Sequence, residues 1–139
     1  MKKKQKVLTT NLKIISVPNG NVLKFIDKKS RTFNGFGEIY FSLVKKSKIK
    51  AWKKHSRMTM NLTVPIGKVK FVFFDEEKNF LKEIISGEKD YKLITVKPGV
   101  WFGFKGLANN VSLVSNLSNI IHKKDETTNL NTKSISYKW

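Results

Sequence analysis

The chain has 139 residues, with 28 lysines and arginines against ten acidic residues, a formal charge of +18 and 40% hydrophobic residues. That hydrophobic share is too high for a disordered polycation, no apolar run approaches the roughly 20 residues that cross a bilayer, and the basic start MKKKQKVLTTNLKIIS lacks the unbroken apolar stretch of a secretory leader. The absence of cysteine excludes disulfide scaffolds, thiol catalysis and thiolate-held zinc, and two histidines, His55 and His122, do not make a histidine-rich metal centre on their own.

In chain order, short runs separated by turn signals predict strands at Lys13–Ser16, Asn21–Ile26, Glu38–Val44, Ile49–His55, Met58–Val64, Val69–Phe74, Leu81–Ile85, Tyr91–Val96, Val100–Phe104 and Val111–Leu117. Turns are expected at Pro18-Asn19-Gly20, Pro65-Ile66-Gly67, Ser86-Gly87 and Pro98-Gly99. Helical periodicity is almost absent, and strands spaced at about ten residues point to an all-β sandwich or barrel. No linker or repeat divides the sequence, so residues 1–139 are expected to form one domain. Residues 1–20 read as an N-terminal strand or arm and 123–139 as a polar tail whose last five residues dock back as an edge.

Alternation assigns side chains to faces. Ile49 and Ala51 open an apolar face that is expected to continue through Lys53 and His55 to Arg57, with Lys50, Trp52 and Lys54 opposite. Cations on an apolar face suit the mouth of a barrel that receives a phosphate or moves a proton. Glu38, Tyr40 and Ser42 share a face, as do Val111, Leu113, Ser115 and Leu117. Six of the ten carboxylates lie between Asp75 and Asp90 and read as a solvated rim. None falls on an apolar face, which argues against a paired-carboxylate glycosidase. Trp52 and Trp101 lie opposite the expected interior, placed to pack between sheets or across a dimer.

The charge carries less information than its size suggests. Of the 28 basic residues 26 are lysine, only Arg31 and Arg57 are arginine, and they are spread along the chain. Base readout relies heavily on the planar arginine fork. A single-stranded nucleic-acid-binding β-barrel, gripping its ligand with lysines and aromatics, is therefore kept only as a distant alternative.

The run GFGEIYFSLVKKSKIKAWKKHSRMTMNLTVPIGKVKFVFF (Gly35–Phe74) resembles the dTDP-4-dehydrorhamnose 3,5-epimerase family, the metal-free sugar-nucleotide epimerases among the cupins. KLITVKPGVWFGFKGLANN, SNIIHKKDE and the closing ISYKW are similar to later segments of its shorter members, so the resemblance spans roughly Asn21 to Trp139. It implies a cupin jelly-roll β-barrel, a homodimer, and action on a nucleotide-linked 4-keto-6-deoxy sugar. Positions that hold metal ligands in other cupins look like Lys53, His55, Met60 (or Thr59) and Phe102, and only His55 keeps a ligand side chain, so no metal or other cofactor is expected. By the same resemblance the family's base histidine corresponds to Lys53 and its acid tyrosine falls near Ser115. Met60 stands where the family has a basic residue, and Arg31 where its N-terminal arginine is displaced. No C-terminal carboxylate partner for the base is placed.

From the residues themselves, epimerisation next to a ketone needs a base for a carbon-bound proton, a partner for the enolate oxygen, and a donor on the opposite face. His55 is the first candidate for the base, Lys53 for base or enolate partner, and Tyr40 for the acid. Arg57, Glu38, Met60, Phe102 and Ser115 are the candidates for holding substrate. The expected function is therefore a 3,5-epimerase-like enzyme acting on a dTDP-4-keto-6-deoxyhexose in deoxysugar and polysaccharide biosynthesis, cytoplasmic and not inserted in a membrane. The alternative is a cupin that binds such a sugar nucleotide without turnover. A dimer contact is expected around Trp52 or Trp101.

Overall fold

In the computed structural model, which describes residues 4–139, twelve strands follow one another. They are β1 (Val7–Asn11), β2 (Ile14–Ile15), β3 (Val22–Leu23), β4 (Glu38–Val44), β5 (Ile49–His55), β6 (Met60–Ile66), β7 (Lys68–Phe74), β8 (Phe80–Gly87), β9 (Lys92–Val96), β10 (Trp101–Gly106), β11 (Ser112–Ser118) and β12 (Thr127–Asn129). Two five-stranded sheets, ordered β1-β9-β6-β11-β4 and β12-β5-β10-β7-β8, face each other, and β2-β3 form a separate hairpin. Every pairing within the sheets is antiparallel, and consecutive strands repeatedly change sheet. This is the all-β jelly roll expected. Val64, Val69, Phe71, Phe73 and Ile94 fill the space between the sheets with no solvent exposure.

The bounds of β4 and β5 coincide with the sequence reading, while two strands lie where none was delimited. β1 sits in the basic N-terminal segment, where Val7 pairs with Val96 and turns into the core. β12 sits in the tail read as polar loop and extends the second sheet by pairing with β5.

The face assignment along β5 is corrected by a bulge. Phe102 pairs with Lys53, but the next residue of β10, Gly103, pairs with Ala51, so Trp52 has no partner in the register. The side-chain alternation resets there, since one extra residue transposes every following position. Lys50 consequently joins Lys53 and His55 on the inner side, while Ala51 joins Trp52 on the outer side. Glycine is required at position 103 because a Cβ there would come within 2.5 Å of the Ala51 Cβ.

Outside the second sheet, Trp52, Val72, Phe74, Trp101 and Ile135 form a second apolar cluster, with Leu130, Tyr137 and Trp139 against it. The closing residues therefore lie over the face of the sheet rather than along its edge. Trp52 and Trp139 have ring centroids 5.2 Å apart, and the Trp52 indole N–H donates to the Thr132 carbonyl oxygen at 3.0 Å. Trp52 is 1% exposed and Trp101 4%, so the dimer contact expected on them is not available: the chain covers them itself. Replacing Trp52 by alanine opens this cluster, and urea denaturation should show a loss of about 3–5 kcal/mol, the scale for removing a buried tryptophan. A loss under about 1 kcal/mol would mean that the tail contributes little to the cover.

Candidate functional site

A cavity of ≈ 340 Å³ opens between the edge strands β4 and β12. Its size falls at the small end of the range for small-molecule sites. From the first sheet Tyr40, Ser42, Met60, Leu62, Val114 and Asn116 line it; from the second come Lys50, Lys53, Phe102 and Phe104, with Asn129 and Leu130 at the margin. Strand register explains the grouping. Tyr40 stands opposite Asn116, which stands opposite Leu62, giving one row across the first sheet. Lys53 stands opposite Phe102 on one side and Asn129 on the other.

His55 lies two residues beyond Lys53 and is 3% exposed. Its ring stacks on Phe102 with centroids 6.0 Å apart, and the exposed His122 meets it edge-on at 6.4 Å. Nδ1 pairs with the carboxylate of Glu126, which closes a short 3-10 turn, Lys124–Glu126. The other Glu126 oxygen accepts the backbone N–H groups of Arg57 and Met58, both at 3.2 Å, and the Thr127 hydroxyl donates to the first at 3.1 Å. Nε2 of His55 is buried with no hydrogen-bond partner.

Burial pushes the His55 pKa below that of a free imidazole; Glu126 opposes this by hydrogen bond and charge, while Lys53 and His122 add to it. For Glu126, burial works upward, but the His55 hydrogen bond, the Arg57 N–H, the His55 charge and the Met58 N–H together hold the carboxyl below its usual range. The pair is thus a carboxylate and a neutral imidazole, with Nδ1–H fixed on Glu126 and the Nε2 lone pair free, the form a general base requires. Burial raises the Tyr40 pKa against the opposing influence of Asn116, with the charges of Glu38 and Glu126 adding to the rise, so Tyr40 stays a hydroxyl donor.

The structure brings Lys53, Tyr40, Met60 and Phe102 together around the cavity, with His55 beside them. Three expected residues lie elsewhere. Arg57 turns outward to Asp125 at 3.6 Å, both side chains more than half exposed, and offers the site only its backbone N–H. Ser115 pairs with Phe41 and Thr63 on the outer face of the first sheet, and its neighbour Asn116 holds the inward position. Glu38 shares the inner face of β4 but accepts the His122 backbone N–H at 3.0 Å, outside the cavity lining. Arg31 lies by a separate groove with Lys6 and Lys97.

Sequence reasoning missed Lys50, Asn116 and Glu126. The first two follow from the bulge and from the strand phase of β11. Glu126 had no signal: it stands in a polar stretch, 71 residues from its partner. Among the described residues no three His, Cys, Asp or Glu side chains converge to hold a metal ion.

No family model matches the chain, and no curated protein does. Among solved structures it is similar to a dTDP sugar isomerase from Desulfovibrio desulfuricans, with 31% identity and a TM-score of 0.91 over 96% of this chain and 90% of that one. It shares its fold with a dTDP-4-dehydrorhamnose 3,5-epimerase from Bacillus anthracis bound to TDP and pyrophosphate, at 15% identity and TM-score 0.81, over 96% of this chain and 84% of that one. A sugar 3,4-ketoisomerase from Thermoanaerobacterium thermosaccharolyticum in complex with TDP has TM-score 0.74 at 16% identity, over 91% of this chain and 89% of that one.

The two depressed pKa values give the dyad a defined pH signature. Its contribution to stability is complete above the unfolded-state values and declines as pH falls, first below about 6.5 as His55 must charge and then as Glu126 protonates. In an NMR titration His55 should take up its proton at lower pH than a free imidazole. Glu126→Gln should move that midpoint lower still, since the partner that raises it is gone. A midpoint at or above the free value would show that the imidazole is not held as described.

Proposed function

The chain belongs to the dTDP-4-dehydrorhamnose 3,5-epimerase-like family of cupins, and we propose that it inverts ring carbons beside the ketone of a dTDP-linked 4-keto-6-deoxyhexose, in deoxysugar and polysaccharide biosynthesis. The observation that carries this reading is the neutral imidazole of His55 on one sheet, held by the Glu126 carboxylate, with a hydroxyl donor, Tyr40, on the other sheet. Nε2 of His55 removes the proton from the carbon next to the ketone, and Glu126 stabilises the imidazolium that forms. The electron pair moves to the ketone oxygen. Lys53, lining the same cavity, stabilises that enolate. Tyr40 returns a proton to the opposite face of the same carbon, which inverts the centre. Lys50 and Ser42 reach the cavity from the same two strands, and Lys50, exposed, is the cation placed to meet the diphosphate at the mouth.

No helix of the described residues is long and apolar enough to cross a membrane, and a cytoplasmic location is part of the reading. So is a homodimer. The outer face of β4 presents Ile39, Phe41 and Leu43 at 49%, 63% and 57% exposure, on an edge strand that itself carries no lysine. On a body of charge +18 it is the face where a second copy meets least repulsion and most apolar surface.

Given a dTDP-4-keto-6-deoxyhexose in deuterated water, the protein should exchange ring protons at C3, C5 or both. His55→Ala should slow exchange about 100-fold or more, the scale for losing a general base. Lys53→Met should lower the rate with a smaller effect on binding, as expected of an enolate partner. Wild-type protein that binds the nucleotide sugar but exchanges nothing would favour a binding protein without turnover. For assembly, light scattering at physiological salt should give a dimer mass, and Phe41→Asp a monomer; a wild-type monomer at all concentrations would refute the pairing.

A further inference from the structure

Asn116 is 3% exposed, lines the cavity, and makes no well-formed hydrogen bond through either atom of its carboxamide. Buried side-chain amides almost always find partners, so one that finds none calls for an explanation. Its surroundings supply little. Across the strands stand Tyr40, whose hydroxyl makes at most a loose hydrogen bond to the amide, and Leu62, which has nothing polar to offer. Two residues along β11, the Ser118 hydroxyl is committed to the carbonyl oxygens of Glu38 and Ile120, and on the other side stands Val114. A leucine in this row would pack against Leu62 and Val114 and leave no orphaned group. The amide therefore costs the free protein stability at the position where Tyr40 also faces the cavity.

A carboxamide presents a donor and an acceptor side by side in one plane. The matching group on a sugar is an acceptor beside a donor on adjacent carbons: a ketone next to a carbon bearing a hydroxyl. We propose that Asn116 recognises the α-hydroxyketone of the substrate, its Nδ2 donating to the ketone oxygen and its Oδ1 accepting from the neighbouring hydroxyl. This rests on the sugar-nucleotide reading above and adds to it a selection among sugars. A site built to pair with such groups rejects analogues that lack them, because the unpaired amide is then sealed from water. The ketone form is thus held more tightly than the same sugar with C4 reduced to a hydroxyl in either configuration, and a 3-deoxy ketone is held less tightly than the 3-hydroxy ketone. Because the amide touches the oxygen that gains charge, its donor also follows that charge into the enolate.

The test compares wild type with Asn116→Leu and Asn116→Asp, measuring affinity calorimetrically for dTDP, dTDP-4-keto-6-deoxyglucose and its 3-deoxy counterpart, and stability by urea denaturation. Asn116→Leu is expected to be at least as stable as wild type and to keep its dTDP affinity within about twofold. It should bind the keto sugar at least tenfold more weakly and lose the preference for the 3-hydroxyl, the loss expected when one well-formed polar pair is removed. Asn116→Asp keeps the shape but sets a carboxylate against the ketone oxygen, and should show the same loss. Equal keto-sugar affinity in all three proteins overturns the assignment while leaving the epimerase reading intact. A leucine variant that is markedly less stable also overturns it, since the amide would then be satisfied in the free protein. Wild-type protein that binds neither dTDP nor the keto sugar overturns the sugar-nucleotide reading itself, and this assignment with it.

Discussion

A carboxylate with 2% exposure survives in a protein only if nearly every lone pair is met, because desolvation otherwise drives it to the neutral acid. Glu126 meets that condition through His55, the backbone N–H groups of Arg57 and Met58, and the Thr127 hydroxyl. Those contacts tie the connection between β5 and β6 to the segment that follows β11. The Ser56 N–H adds a bond to the Glu126 carbonyl oxygen at 2.8 Å, and β12 then pairs along β5. One buried anion thereby fixes the tautomer of the imidazole and the path of the segment that follows β11.

The two walls of that cavity divide the chemistry. The second sheet brings cations and the imidazole: Lys50, Lys53 and His55 all come from β5. The first sheet brings neutral polar groups, Tyr40, Ser42 and Asn116, among Met60, Leu62 and Val114. Charge is thus gathered on one wall and neutral polar groups on the other, which suits a reaction that removes a proton from one side and returns it to the other. The bulge at Trp52 brings about the charged wall. Without the extra residue Lys50 would sit outside with Trp52 and Lys54, and Ala51 would be turned toward the cavity.

How legible this was in the sequence depends on the range of the interactions. The bounds of β4 and β5 were readable because their alternation is local; Lys53 reaches the cavity from the face alternation gives it, Tyr40 from the face it shares with Ser42, and Met60 and Phe102 from positions that the family resemblance marks. The faces of β11 were misread for an instructive reason. Leu113 and Leu117 suggested an interior on the side of Ser115, but they face outward, and the inner side carries Ser112, Val114, Asn116 and Ser118. A strand whose inward face is the more polar one is a strand that lines a site, and a single sequence gives no means to tell this from the opposite arrangement. The bulge depends on how Gly103 passes Ala51, which is a contact between strands, and Glu126 acquires its meaning only from a partner 71 residues away. The tail looked polar because its apolar residues Leu130, Ile135, Tyr137 and Trp139 are separated by residues that face solvent.

That separation also has a meaning in time. A ribosome adds roughly 5–20 residues each second, so His55 emerges about 4–14 s before the carboxylate that pairs with it. Trp52, and Trp101 once it is made, have no cover until Leu130, Ile135, Tyr137 and Trp139 follow Glu126. The nascent chain can pair most of its strands early, yet it carries an exposed aromatic face and an imidazole of undefined tautomer until the segment from Glu126 to Trp139 has been made. Maturation of the site and removal of the stickiest surface are therefore one event, and any pause in translation beyond β11 prolongs the interval in which the polypeptide depends on chaperones.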